Sequence, residues 1–198
     1  MQPSPIFLQP DPAQVYQPAE DSWFLLKIST NEIQAQDRVL EVGVGSGYIL
    51  SHLPSCLMKV GTDINPHAVQ MASQRGIPVI RTDLVQGIKG EFDLILFNSP
   101  YLPTKPNERI DDWLEYALDG GPDGRSVINR FLTDIRQVLA PGARVLLLIS
   151  SLTGREEIIT LTSQKGFWCS DILTEPVEGG ERLIILKLVR KVENSEAD

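Results

Sequence analysis

Arg38-Val39-Leu40-Glu41-Val42-Gly43-Val44-Gly45-Ser46-Gly47 is the stretch that decides the fold. Val39, Leu40 and Val42 carry the β-branched, apolar character of a buried strand. Gly43, Gly45 and Gly47 then break it, because glycine turns the backbone where other residues resist. Tyr48 to Leu53 opens a helix. A strand, a glycine turn and a helix make the first part of a parallel β-α-β unit.

The same alternation continues outward from this unit. Lys59 to Ile64 reads as a second strand, and Asn65-Pro66 caps a helix running to Arg75, with Gly76 as its stop. Ile77-Pro78-Val79-Ile80 is a third strand, where Pro78 suits a sheet edge. Phe92 to Phe97 is the fourth. Residues 102–123 form a long loop, a length more often functional than idle. Ser126 to Leu139 is a helix with Val127, Phe131, Ile135 and Val138 on one side, stopped by Pro141-Gly142. Arg144 to Ser150 is the fifth strand and Thr153 to Gly166 the next helix. Phe167–Leu173 and Arg182–Val189 close the chain as two strands, paired in a hairpin around Glu178-Gly179-Gly180.

On the N-terminal side, residues 1–15 are rich in proline and glutamine and are expected to lie extended. Pro18, with Glu20 and Asp21 after it, starts a helix that ends near Ser29-Thr30-Asn31. The tail 191–198 is polar and expected to fray. The expectation is one α/β domain over 1–198, a doubly wound and largely parallel sheet.

Charge and composition narrow the function. With 26 acidic residues against 18 basic, the net charge of -8 lacks the footprint of a free-standing nucleic-acid binder. Cys56 and Cys169 lie far apart without metal spacing, and His52 and His67 cannot build a typical zinc site, so no metal is expected. No apolar run reaches membrane-span length and no signal peptide opens the chain, which predicts a soluble, cytoplasmic protein.

The chemistry is expected beyond the carboxyl ends of the strands. The glycine turn brings N–H groups and a helix N-terminus to a negative group, either a dinucleotide pyrophosphate or an amino-acid carboxylate. The dinucleotide pattern needs glycine where Tyr48 stands, and no Gly-Lys-Ser/Thr follows for a P-loop. Glu41 would repel a pyrophosphate but could accept from an ammonium group, so the turn suits a zwitterionic amino-acid end. Asp63 closes the second strand, where an acid commonly takes ribose hydroxyls or caps the following helix. Asp83, before Leu84, suits an adenine amino group or is a plain turn acid. An amino-acid end, a ribose and an adenine in that order describe S-adenosylmethionine. At the exit of the fourth strand, Asn98-Ser99-Pro100-Tyr101 fixes one amide side chain and one ring, since Pro100 ends sheet pairing and pushes Ser99 towards extended backbone.

Glu41-Val42-Gly43-Val44-Gly45-Ser46-Gly47, Asp63-Ile64-Asn65-Pro66, Asp83-Leu84 and Asn98-Ser99-Pro100-Tyr101 together resemble the HemK/PrmC group of class I methyltransferases. Pro18-Ala19-Glu20-Asp21-Ser22 and Gly120-Gly121-Pro122-Asp123-Gly124 resemble motifs of its small archaeal and eukaryotic branch. The resemblance runs from Tyr16 to about Leu188. About forty residues precede the first strand, too few for the helical domain of the bacterial branch. It implies a Rossmann-like, seven-stranded, mostly parallel sheet with its last strand antiparallel. It also implies methyl transfer from S-adenosylmethionine to the side-chain amide of a glutamine in a translation release factor.

The resemblance further implies residue roles. Glu41 and Gly43 would hold the methionine end, with Ser22 offering its hydroxyl to the carboxylate. Asp63 would bind the ribose, Asp83 and Leu84 the adenine, and Gly45, Gly47, Ile64 and Asn98 would also line the cofactor. Tyr16 would cover the cofactor or serve as plain N-terminal packing. Asn98 and the Ser99 carbonyl would bind the target amide, with Pro100 and Tyr101 shaping the site and Tyr101 aiming the amide. Ser99 departs from the usual Asn-Pro-Pro-Tyr. It keeps the carbonyl but does not fix its own φ. A small zinc-binding activator subunit is implied as a partner, with Ile77, Val79 and Ile80 serving either sheet extension or this domain's own core. The motif also serves enzymes acting on adenine or guanine amino groups, and Ser99 leaves room for a non-catalytic binding subunit.

Overall fold

The computed structural model describes residues 9–105 and 112–191, so parts of three expected segments (1–8, 106–111 and 192–198) lie outside the described residues. Strands β1 (Arg38–Val42), β2 (Met58–Asp63), β3 (Val79–Arg81), β4 (Phe92–Asn98), β5 (Leu139–Ser150), β6 (Phe167–Pro176) and β7 (Arg182–Arg190) form one sheet. Their order is β3-β2-β1-β4-β5-β7-β6. The first five pair in parallel, and β7 runs antiparallel to both β5 and β6. This is the expected doubly wound sheet with its last strand reversed.

Helices α1 (Glu20–Glu32), α2 (Tyr48–His52), α3 (Pro66–Gln74), α4 (Ser126–Asp134) and α5 (Arg155–Gln164) cover two faces. The strands alternate between those faces with period two, as pleated backbone requires. Val39, Leu94, Leu96, Leu146 and Leu148 join Phe24, Leu25, Leu50 and Ala72 of the first three helices. Leu40, Ile95, Phe97, Val145, Leu147 and Leu186 join Ile128, Phe131 and Ile158 of the last two. Burying a leucine or isoleucine side chain contributes about 1.5–3 kcal/mol, so both faces are needed to hold the central strands.

Five stretches differ from the sequence reading. Residues Pro12–Gln14, expected to lie extended, form a 3-10 turn capped by the Asp11 side chain. The helix expected over 126–139 ends at Asp134, and residues Ile135–Val138 tighten into a 3-10 turn. β5 begins at Leu139 opposite Phe92, then shifts register so that Arg144 faces Leu94. Pro141 has no N–H and Gly142 sits at a φ of +74°, so the chain bows out between those rungs instead of stopping a helix. The third strand is shorter than 77–80, because the Ile77 N–H is spent on the Ala72 carbonyl at the end of α3. The loop 102–123 is built rather than featureless: Leu102 bridges Asp119, and Glu115–Ala117 form a 3-10 turn.

The amino ends of the strands are closed by ion pairs. Arg38 binds Asp93 through two nitrogens, at 2.8 and 3.1 Å. Arg144 reaches both oxygens of buried Asp37 at 2.6 Å and donates to the Glu32 carbonyl. Lys187 meets the Glu32 carboxylate at 3.0 Å. No helix among the described residues is long and apolar enough to cross a membrane.

Candidate functional site

A cavity of about 630 Å³ opens at the carboxyl ends of β1, β2 and β4. That falls within the span of small-molecule sites, roughly 300–1,000 Å³. Its wall includes Tyr16, Ser22, Glu41, Gly43, Gly45, Asp63, Ile64, Asp83, Leu84, Asn98, Ser99, Pro100 and Tyr101. One expected member, Gly47, does not line it.

The glycine turn shows why. Gly47 begins α2 at a φ of +78°, and a Cβ there would stand 3.0 Å from the Ala72 backbone. Its bareness lets α2 and α3 approach each other behind the cavity. Gly45, at a φ of +52°, faces open space, with no atom within 4 Å of where its Cβ would be. The turn is braced by Val44 N–H to the Thr62 carbonyl and by Gly45 N–H to Asp63 Oδ2, at 2.9 and 2.8 Å.

Asp63 therefore does two things. Oδ2 takes the Gly45 N–H and Oδ1 takes the Asn65 N–H at 2.9 Å. It does not cap α3, because Asn65 does that by accepting from His67 N–H. Burial pushes the Asp63 carboxyl up against the pull of these N–H bonds. Glu41 lies two strand positions deep in the same wall. Its carboxylate accepts from Leu50 N–H at 3.3 Å, and burial followed by the charge of Asp63 holds its pKa well above the carboxylate range. Among the described residues no lysine or arginine pairs with either acid.

The N-terminal strap adds a third acid that motif reading passed over. Asp21 is buried, and its carboxylate accepts from the Tyr16 hydroxyl at 2.9 Å and from Ser22 Oγ at 3.1 Å. Burial and that carboxylate push the Tyr16 hydroxyl up, so it stays a proton donor. Gln14 ties the strap down at two points. Its carbonyl accepts from Asn65 Nδ2 at 2.7 Å, and its side chain accepts from Trp113 N–H at 2.9 Å. The second bond joins positions 99 apart, which no local pattern encodes. Asp83 pairs with Arg130 of α4, another long-range partner that sequence reading missed. Leu84 beside it holds a φ of +52°, an uncommon backbone for a γ-branched residue that fixes the local chain path.

Asn98 is the last residue of β4, opposite Leu148 of β5. Ser99 follows in a buried position, and its hydroxyl donates to the Leu148 carbonyl at 2.7 Å. Tyr101 is half-buried, and its hydroxyl is pushed up by burial and then by Asp21. The glycine-rich segment beyond the loop packs back onto it. A Cβ on Gly124 would stand 2.5 Å from the Tyr101 carbonyl oxygen, so only glycine fits. The chemical character of the cavity is thus cation-seeking at Glu41, Asp63 and Asp21, with a carboxamide and a ring beside them. No cluster of three metal-ligating side chains occurs among the described residues.

No family model matches the chain. A Methanocaldococcus jannaschii protein named for protein N5-glutamine methyltransferase activity is 43% identical over 165 residues, covering 78% of this chain and 81% of the relative. Human methyltransferase HEMK2 is 32% identical over 195 residues, covering 90% of this chain and 91% of the relative. Among solved structures, Mtq2 in the E. cuniculi Mtq2–Trm112 complex, described as responsible for methylating the termination factor eRF1, superposes with a TM-score of 0.75. The two are 28% identical, with 90% of this chain and 99% of that one covered.

Proposed function

The chain belongs to the protein N5-glutamine methyltransferase family, and from that premise we propose that it methylates the side-chain amide nitrogen of a glutamine in a translation release factor. The methyl donor is S-adenosylmethionine. One observation carries the reading: the Asn98 carboxamide shares a cavity wall with the glycine turn and with three acids that pair with no lysine or arginine among the described residues.

The residues fit that donor. Its ammonium and sulfonium charges complement Glu41, Asp63 and Asp21, and the space at Gly45 admits its backbone end. Glu41 takes the ammonium group and Ser22 the carboxylate. Asp63 has lone pairs left for ribose hydroxyls after bracing the turn. Asp83, steadied by Arg130, and Leu84 border the adenine. Tyr16, tethered to Asp21, covers the methionine end. When bound, the donor supplies a methyl group already activated on a positively charged sulfur.

The protein's part is alignment and charge. A carboxamide nitrogen is a poor nucleophile because its lone pair is delocalised into the carbonyl. Asn98 Oδ1 and the Ser99 carbonyl would accept its two N–H groups, drawing electron density back to nitrogen and stabilising the positive charge that grows there. One of those protons would then leave by way of its acceptor to solvent, giving the neutral N-methylamide. Tyr101 lies against the planar amide and aims it. Orientation of this kind can supply on the order of 7–11 kcal/mol of the barrier. The partner is a small zinc-binding subunit of the Trm112 kind, docked on the β3 edge, where Ile80 is 46% exposed. The likeness to Mtq2 in its complex supports that assignment.

The test is incubation with labelled donor and a release factor, with and without a Trm112-type subunit, followed by mapping of the label. Label on one glutamine side chain is expected. Label on nucleic acid, or donor binding without turnover on any substrate, would overturn the reading.

A further inference from the structure

The end of β4 is tied to β5 in an unusual way. Asn98 faces Leu148 in the ladder, and the next backbone donor, the Ser99 N–H, reaches the Leu148 carbonyl only at 3.4 Å. The short bond to that carbonyl comes from the Ser99 hydroxyl instead, at 2.7 Å, in a position 2% exposed. Pro100 then has no N–H to offer, so no further rung can form. The last firm tie between the two strands is therefore a side chain, and it sits on the residue between the carboxamide and the proline.

We infer that the Ser99 hydroxyl is a positioning group for methyl transfer, acting through the backbone of its own residue. Without it, residue 99 is held by one long N–H contact and can turn about its own φ. Its carbonyl and the neighbouring Asn98 carboxamide then lose their common aim. The hydroxyl removes that freedom by anchoring to a strand that is rigid because both its faces are buried: Leu147, Leu148 and Ile149 are all at 0% exposure. A rotation of tens of degrees at this point would misplace both acceptors by about an ångström, a shift large enough to cost on the order of a hundredfold in a well-aligned transfer. The single hydroxyl bond is expected to recover part of that.

The inference rests on the amide-methylation reading, and the test separates the two. Wild type, Ser99→Ala, Ser99→Thr and Ser99→Pro are compared for kcat on the release factor, for affinity towards S-adenosylhomocysteine by calorimetry, and for thermal unfolding. Rates are expressed per site able to bind S-adenosylhomocysteine, so a partly misfolded variant does not distort them. Ser99→Ala is expected to lower kcat about tenfold, the worth of one neutral hydrogen bond, with affinity within twofold of wild type. Ser99→Thr keeps the hydroxyl and recovers most of the rate. Ser99→Pro fixes φ by its ring and exceeds Ser99→Ala. A Ser99→Ala enzyme with the wild-type kcat, or one whose loss lies wholly in affinity or melting temperature, would overturn the inference. A wild-type protein that leaves glutamine unlabelled would instead overturn the reading beneath it.

Discussion

The two ends of the sheet treat their acids in opposite ways. At the amino ends, Asp93 has Arg38, Asp37 has Arg144 and Glu32 has Lys187. At the carboxyl ends, Glu41 and Asp21 are as deeply buried as Asp37 and Asp63 is partly buried, but none of the three pairs with a lysine or arginine among the described residues. Asp83 with Arg130 is the exception there, at a more exposed position. A buried charge is costly wherever it sits. One end meets that cost internally and gains rigidity. The other leaves it standing, and under the proposed function it is relieved when the cationic donor binds.

Substitution should separate the two ends. The largest effect is expected at the closed end: Asp37→Ala strands the Arg144 guanidinium and should lower unfolding free energy by about 3–5 kcal/mol in urea titration. Donor affinity of the remaining folded protein should not change. Next, at the open end, Asn98→Ala should cut kcat about 100- to 1,000-fold, or about 2.7–4 kcal/mol, with the Kd for S-adenosylhomocysteine within threefold. A normal rate in that variant would remove Asn98 from the mechanism. Gly47→Ala should cost roughly 2 kcal/mol in thermal unfolding, from its left-handed φ and the crowding against Ala72.

The smallest and most telling change is Glu41→Gln. It should weaken donor binding about tenfold, or about 1.4 kcal/mol, yet leave the empty protein as stable as wild type or more so. The sign follows from burial, which raises the folded-state pKa of Glu41 above its unfolded value. The folded chain thus holds this proton more tightly than the unfolded one. The resulting stabilisation is present at acid pH and is lost as pH climbs from the ordinary carboxylate range through the raised value. Glutamine lacks that loss, so the advantage of the variant should grow with pH over the same window. An ammonium group favours the ionised acid, so donor binding to wild type should release protons within the window, read by calorimetry in buffers of different ionisation enthalpy. Equal proton release from Glu41→Gln would assign the effect to another group.

What could be read from the chain depends on how far apart the partners lie. The place of Glu41, Gly45 and Asp63 on one cavity wall was legible because a strand, a turn and a helix are written consecutively, and the doubly wound sheet followed from their alternation. Asn98 was legible as a polar residue that ends a buried apolar strand two positions before Pro100, though a plain strand-ending turn reads the same way. The contacts that hold these groups were not. Ser99 to Leu148 spans 49 positions, Asn65 to Gln14 spans 51 and Arg144 to Asp37 spans 107. Each is made by a common residue whose partner is set only once the sheet exists. Gly47 was grouped with the ligand residues because its spacing matched; in the structure it lies off the cavity wall, where a Cβ would crowd Ala72. Ser99 was read as a loss of rigidity, because a hydroxyl says nothing of itself about the carbonyl it will find.

The order β5-β7-β6 places the latest strand to leave the ribosome inside the sheet, between two strands made before it. Until residues 183–188 emerge, β5 shows an open edge of ladder groups beside Val145 to Ile149, and β6 has no neighbour to pair with. A nascent chain therefore cannot finish this half of its core by folding as it is made. It must keep a gap of one strand's width and close it at the end.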